Sequence, residues 1–581
     1  MPFPSKRSTL HLATTTGLRD SNMAIRQFSN SRKFFLLTLW VTLVILMLVV
    51  FLGLSLSTHL QTSSGGIINT SDPSNTVVTV LEHPIKMLFH KADADFSELL
   101  HKQSTTFEMA ASEYSRRYQR DPPPGYKIWY EYAVRHESMI IDEFDIINEA
   151  LAPFWDLSGS ELKQRLDDVR DNGPLISHCH LSNGVAQAGC KPFGSEVLRL
   201  LQEPELSQYL PEIDMLINVL DEPRVLLGDD NDLASDRDGI AMPEWTDLSH
   251  RHVWNKITAG CYRDNSFDAR LSLSANHESE ATGSVFYIDK SDEVDLCRHP
   301  EYKAMHGIWR SPTTLSTTRS TVPILSPAVL STMGDVPFPA AAYSNNAYTY
   351  EESEDTHWDN KTLGLYWAGS TTGSFQRAEN RGWKQDHRQR FVSLANGLEP
   401  DVHTYLWRSG VGTAWKERKS STLNHSFYNV HFTDVVQCAD RTTDDAVRAY
   451  FKIYDVEPRK EAFRYTLAFD LDGNGHSGRF YRLLNSRSLP LKQTVFREWH
   501  DERLQPWQHY VPISLSMDDL PEVVRYLVEE EEGREIAALM AEKGRQWSLQ
   551  ALRPVDQVIY LFRLMIELSR LQEPSRPAAR R

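Results

Sequence analysis

The chain has 581 residues, 41% hydrophobic and 24% charged. That is globular composition and, at ~150 residues per domain, enough for two or three filled cores. A net charge of −16 argues against a nucleic-acid partner, and five cysteines without a CxxC pair exclude a disulfide scaffold and argue against structural zinc.

Residues 34–57 carry no charge and are long enough to cross a bilayer core of ~30 Å. Lys6, Arg7, Arg19, Arg26, Arg32 and Lys33 precede them against the single acid Asp20, and no Lys or Arg follows until Lys86. The positive-inside rule makes residues 1–33 a cytosolic tail and 34–57 a type II signal anchor. Everything beyond is then lumenal, in the Golgi or the endoplasmic reticulum. A cleaved signal peptide, the rival reading, would carry an apolar stretch of only ~7–15 residues. The sequons at Asn69, Asn360 and Asn424 fall on the lumenal side. In an oxidising lumen Cys179 with Cys190 and Cys261 with Cys297 are the local pairing candidates, and the sequence leaves the connectivity open.

Residues 58–105 read as a stem, rich in Ser, Thr and Gly at its start. Apolar residues recur at helical spacing over 96–118, until Pro122–Pro124, and a second helix is predicted over 138–151. Residues 215–220 are an apolar run that predicts a buried strand, stopped by Asp221-Glu222-Pro223. Another strand over 363–367 opens into Gly369-Ser370-Thr371-Thr372-Gly373. A third unit is strand 463–469, a glycine-rich turn and a helix over 479–484; the last helix spans 555–571. Strands followed by helices in this rhythm predict an α/β fold with parallel sheets.

In such sheets ligands bind beyond the carboxyl ends of the strands, which is where Asp221 stands, placed to act as a general base. The alternative is ordinary turn chemistry, with the Asp side chain capping its own backbone. Asp470, Asp472 and Asn474 begin like a calcium loop, but the twelfth position is Tyr481 and not the required Glu. Gly473-x-Gly475-x-x-Gly478 follows a strand and opens a helix, so backbone N–H groups near Gly478 and the guanidinium of Arg479 suit a phosphate. The alternative is a glycine-rich turn without a ligand. Glu498, about twenty residues on, has the spacing of an acid that holds ribose hydroxyls. Gly369, Ser370 and Thr371 form a second loop able to line the same diphosphate, with Arg377, His387, Arg388 and Arg390 after it. The pairs His178/His180 and His250/His252 have no fixed spacing to a third ligand, so no metal site is assigned.

Together these motifs resemble the capsule-associated and Rumi-type protein O-glucosyltransferase family, glycosyltransferase family ninety. The likeness is densest over residues 464–510, at Ser477-x-Arg479-Phe480 and Pro506-Trp507-x-His509-Tyr510. It includes Asp121-Pro122-Pro123-Pro124-Gly125, Asn218-x-x-Asp221-Glu222-Pro223-Arg224, Cys297-x-His299-Pro300-Glu301-Tyr302 and Tyr366-Trp367-x-Gly369-Ser370-Thr371-Thr372-Gly373. Their wording is nearer the fungal capsule-associated branch.

The resemblance implies a B-type glycosyltransferase fold of two facing Rossmann-like domains: 106–345 on the acceptor side with the base, 346–555 binding the nucleotide sugar, then a C-terminal helix and tail over 556–581. It implies inversion at the anomeric carbon, with Asp221 as base, Arg479 on the diphosphate and Glu498 as a donor-site acid. One departure is Ala368, where the glucosyltransferase branch carries Arg before Gly-Ser. The expected activity is transfer of xylose or glucose from a UDP-sugar to a hydroxyl of a glycan or glycoprotein, with dependence on a divalent metal left open. An inactive lumenal glycan-binding or scaffold protein is the non-enzyme alternative. An NAD-dependent oxidoreductase would place its G-x-G-x-x-G in an early βαβ unit.

Overall fold

All three predicted strands are present, and they belong to two five-stranded sheets with different connectivity. The computed structural model describes residues 81–227, 244–262, 290–344, 349–378, 382–410 and 412–579. The predicted tail and membrane-spanning segment, residues 58–80 of the stem, and Asn69 lie outside the described residues. No described helix is long and apolar enough to cross a membrane.

In chain order the strands are β1 (Ile176–Ser182), β2 (Val185–Ala186), β3 (Ile213–Asn218), β4 (Trp245–Asp247), β5 (Ser316–Thr318), β6 (Ile324–Ser326) and β7 (Val336–Pro337). Then follow β8 (Thr362–Ser370), β9 (His403–Trp407), β10 (Lys416–Ser420), β11 (Tyr428–Asp434), β12 (Tyr465–Leu471), β13 (Leu489–Gln493) and β14 (Val511–Pro512). The first large sheet has the order β2-β1-β3-β6-β7, the second β11-β8-β12-β13-β14. All neighbours in the second sheet are parallel. The first is mixed: β3, β6 and β7 are parallel, but β1 runs antiparallel to both β2 and β3. The expectation of parallel sheets is corrected there. A short β1–β2 connection of two residues can only reverse the chain.

Each sheet has its own core. The helix Pro554–Gln572 returns from the end of the chain to the first sheet, burying Val558, Leu561, Met565 and Leu568 with Leu216 and Ile217 of β3. The second core joins β8, β12 and β13 to the helices His387–Ala395 and Leu520–Glu529. It also takes in Ile85 and Phe89 from a helix over Pro84–Lys102. That helix occupies the end of the stretch read as stem. Its N-cap His83 is wholly buried, stacked on Tyr526 and bonded to Glu522 at 2.9 Å.

The helix predicted over 96–118 is two. Pro84–Lys102 ends where the Gln103 side chain turns to accept the N–H groups of Ile141 and Asp142, and Thr106 caps the next helix, Phe107–Tyr118. The same bonds hold residues 138–144 irregular, so the second predicted helix starts only at Asp145. Disulfides Cys179–Cys190 and Cys261–Cys297 both form, and Cys438 is unpaired.

Both sheets lie in one compact unit, Pro73–Arg581. Val329, after β6, exchanges two backbone hydrogen bonds with Arg497, after β13, at 3.0 and 2.8 Å. This stitch joins the two halves beside the carboxyl ends of their strands.

Candidate active site

At the end of β3 nearly every polar group of the turn is directed inward. Asn218 uses its whole amide: it donates to Glu222 O (2.7 Å) and Ser326 Oγ (3.1 Å), and accepts from Leu220 N (3.0 Å) and Arg224 Nη1 (3.2 Å). Arg224 is fully buried, and its guanidinium also reaches the carbonyls of Ser316, Leu175 and Pro174. Asp335 takes the N–H groups of Arg224 and Val225, both at 2.8 Å, and the Ser326 hydroxyl at 2.6 Å. Glu222 accepts from Thr314 N (3.1 Å) and Oγ1 (2.7 Å); burial nonetheless pushes its carboxyl up to about 7.

Asp221 is the exception. It is exposed, and no described residue hydrogen-bonds its carboxylate. The turn bonds that an Asp would supply in the alternative reading come from Asn218. The turn therefore presents an exposed carboxylate at the carboxyl end of β3, on a backbone fixed by its neighbours, where ligands of such sheets bind.

The loop after β12 meets this turn. A Cβ on Gly475 would lie 2.3 Å from the Asp221 carbonyl oxygen, so only glycine permits the approach. The loop after β8 joins from the other side: Asn474 Oδ1 accepts from Gly373 N and Gln437 Nε2, both at 3.1 Å, and from Thr313 Oγ1 at 3.3 Å. Gly373 has φ +109° and packs on His387 and the Gly473 carbonyl. Arg388 fastens the two loops from beneath, donating to Asp472 O (2.7 Å), Leu471 O (3.2 Å), Ser370 O (3.0 Å) and Thr372 Oγ1 (2.5 Å). Burial, and then the charge of nearby Arg479, pull its guanidinium down to about 9. The buried carboxylates of Asp470 and Asp472 offset part of that repulsion.

Arg479 keeps 24% of its side chain exposed. Its Nη1 donates to Ala368 O at 3.3 Å, and Gly369 beside it packs on the Trp367 ring, which a Cβ there would approach to 2.9 Å. The following helix is only Phe480–Leu484, too short for a strong macrodipole, so the local positive charge resides mainly in Arg479.

Two predicted donor contacts sit differently from expectation. Thr371 is fully buried, its hydroxyl accepting from Val436 N (2.9 Å) and donating to Val436 O (3.0 Å). The hydroxyls left near the surface of that loop are Ser370 and Thr372. Glu498 is 1% exposed and inside, accepting the Tyr343 hydroxyl and lying 3.5 Å from Lys492 Nζ. In this conformation it faces its protein partners and not an open ribose site. Gly369, Ser370, Gly478 and Arg479 remain at partly exposed positions around the loops.

Of the other histidines, His178 and His180 of β1 share one oxygen of Asp214 at 2.8 and 2.9 Å. Asp470 and Asp472, the acidic pair, are both buried and engaged by protein groups, Lys492 and Ser477 on the first and Val495 N on the second. Sequence reasoning missed Lys492, Tyr343 and Asp335. The one signal for Lys492 was a lone lysine inside the short apolar strand β13.

Residues 342–580 match the model described as Glycosyl transferase family 90. Among curated proteins, the chain is 32% identical over 104 residues to Protein O-glucosyltransferase 3 of Rattus norvegicus, 18% of this chain and 20% of that one. To the proteins of the same name from Mus musculus and Homo sapiens it is 31% and 30% identical over 119 residues, 20% of this chain and 23% of each relative. The matched stretch thus spans about a fifth of those relatives. The family match contains Arg479 and the loops after β8 and β12; Asp221 lies outside it.

Proposed function

From the match of residues 342–580 to the glycosyl transferase family 90 model we propose that the chain is an inverting transferase that moves a sugar from UDP to an acceptor hydroxyl. The carrying observation is the close contact between the Asp221 turn and Gly475, which brings an outward carboxylate to the loop that leads to Arg479. Asp221 takes the proton of the acceptor hydroxyl, whose oxygen attacks the anomeric carbon from the face opposite the leaving group. The bond from that carbon to the diphosphate oxygen breaks, and UDP leaves with the electron pair. Arg479 and the N–H groups near Gly478 stabilise the growing phosphate charge.

Glucose and xylose are the donor sugars proposed, and the name of the relatives favours glucose and a protein acceptor. Two disulfides support an oxidising lumen as the place of work. The uncharged run at 34–57 supports a membrane anchor there. Transfer assays on the full-length protein with UDP-glucose, UDP-xylose and other UDP-sugars, read by UDP release and acceptor mass, test this reading. Hydrolysis or transfer with none of them, from protein that binds no UDP, would sink it.

A further inference from the structure

Behind the donor loop runs a buried string of charges that the proposed chemistry does not use. Lys492 of β13 is 1% exposed at its side chain, with Nζ 3.1 Å from Asp470 Oδ2, 3.5 Å from Glu498 Oε1 and 4.1 Å from the centre of the Phe480 ring. The other oxygen of Asp470 accepts the Ser477 hydroxyl and lies 3.9 Å from Arg479 Nε. The other oxygen of Glu498 accepts the Tyr343 hydroxyl. Against burial, which alone would lower it, the carboxylates hold the Lys492 ammonium above the ordinary lysine range.

The distance from Arg479 to Asp470 is the informative one. At 3.9 Å it is no hydrogen bond, although a buried carboxylate beside a guanidinium would ordinarily take it in a short, two-pronged pair. Lys492 occupies that carboxylate from the far side. We infer that Lys492 is a positioning residue, which neutralises Asp470 and so keeps the Arg479 guanidinium free for an anionic diphosphate. Without the ammonium, Asp470 draws Arg479 inward, and the site loses its cation to its own protein. The inference rests on the donor-site reading of Arg479 and adds the device that keeps it available.

The test is titration calorimetry of the full-length protein in detergent, with UDP and with inorganic pyrophosphate as separate probes. Lys492→Met should weaken binding of both at least tenfold. Adding Asp470→Asn removes the competing carboxylate and should return affinity to within about threefold of wild type. A residue that only supports the fold would not be rescued by deleting its partner's charge. The double variant decides the matter even where Lys492→Met fails to fold, because it removes one of the two carboxylates the ammonium held, and the other, Glu498, keeps the Tyr343 hydroxyl. Should the double variant not fold, adding Glu498→Gln removes the last unpaired charge and is judged by the same threshold. A folded double variant that still binds at least tenfold more weakly than wild type overturns the inference. Wild-type protein that binds pyrophosphate but not UDP defeats the nucleotide reading while the rescue still judges Lys492. If wild type binds neither probe, both fail.

Discussion

The two turns that meet at Gly475 are organised in opposite ways. The Asp221 turn is fixed by a dense set of bonds to backbone groups: Asn218, Arg224 and Asp335 between them bond backbone atoms of Pro174, Leu175, Glu222, Arg224 and Val225. The carboxylate that remains is turned outward. The Arg479 loop, which Arg388 also fastens through backbone carbonyls, adds a row of opposed charges, with Lys492 between Asp470 and Glu498 and Arg479 at the open end. A backbone-bonded turn positions a base without supplying a cation to pair with it. The row alternates two cations with two carboxylates and ends on Arg479, its partly exposed member. The difference in construction matches the two tasks proposed, proton removal on one side and phosphate binding on the other.

The largest blow to this division is Asp221→Asn. It keeps the shape of the turn, since Asn218 and Glu222 hold it, but it cannot accept the proton. Transfer should fall roughly 10²–10⁴-fold, with UDP affinity and melting temperature nearly unchanged. Transfer close to the wild-type rate from a folded variant would remove Asp221 from the mechanism. Next comes Gly475→Ala, which drives a methyl against the Asp221 carbonyl and must part the two turns. Displacement of reacting groups by ~1 Å can cost about 10²-fold. Transfer should therefore drop far more than UDP binding does. Equal losses in both would mean that the contact serves the donor loop alone.

On the charged side, Arg479→Ala should weaken UDP binding by roughly 1.5–3 kcal/mol, the scale of a charge-assisted hydrogen bond. Arg479→Lys should restore little, because an ammonium does not reproduce the planar fork. An unchanged dissociation constant in Arg479→Ala, measured by calorimetry, would show that the loop's cation is not the diphosphate ligand.

How much of this was legible depends on whether a segment's own residues or its neighbours decide its shape. The strands β3, β8 and β12 announce themselves as apolar runs, and the last helix by its periodicity, because each buries its own side chains. Strand β1, Ile-Ser-His-Cys-His-Leu-Ser, carries no such run; it is a strand because β3 pairs with it and Cys190 closes on Cys179. The helix Tyr126–Arg135 was hidden by the proline cluster before it, which reads as a stop but here precedes Gly125 in a left-handed conformation that starts the helix. In the site, Asp221 and Arg479 stood out by position at strand ends. Glu498 was placed by a spacing rule that holds for a longer helix. Here the helix is five residues, and Glu498 follows β13 into the interior, beside Lys492. The burial of Thr371 is decided by Val436, sixty-five residues on, and no local pattern reports it.

The smallest expected effect probes the backbone-bonded turn through Glu222. Burial holds its carboxyl at about 7, against 4.5 for an ordinary glutamate. Between those values the folded protein keeps a proton that the unfolded chain has released. The stabilisation linked to Glu222 is therefore complete below about pH 4.5, declines as the pH rises through 7, and is gone above it. Glu222→Gln removes this titration. Its amide can still accept from Thr314 N, while the Thr314 hydroxyl turns to accept from the new N–H group. Relative to wild type, the variant's melting temperature should rise by a few degrees between pH 5 and pH 8, most of it before pH 7.5. The difference between the two proteins is the measurement, because Asp335, Asp472 and Asp519 carry raised carboxyls of their own that cancel in the subtraction. A difference that is flat with pH would mean that Glu222 is ionised in the folded state at pH 5. The turn under Asp221 would then be held by a charge, as the donor loop is, and the contrast between the two would narrow to the single cation at Arg479.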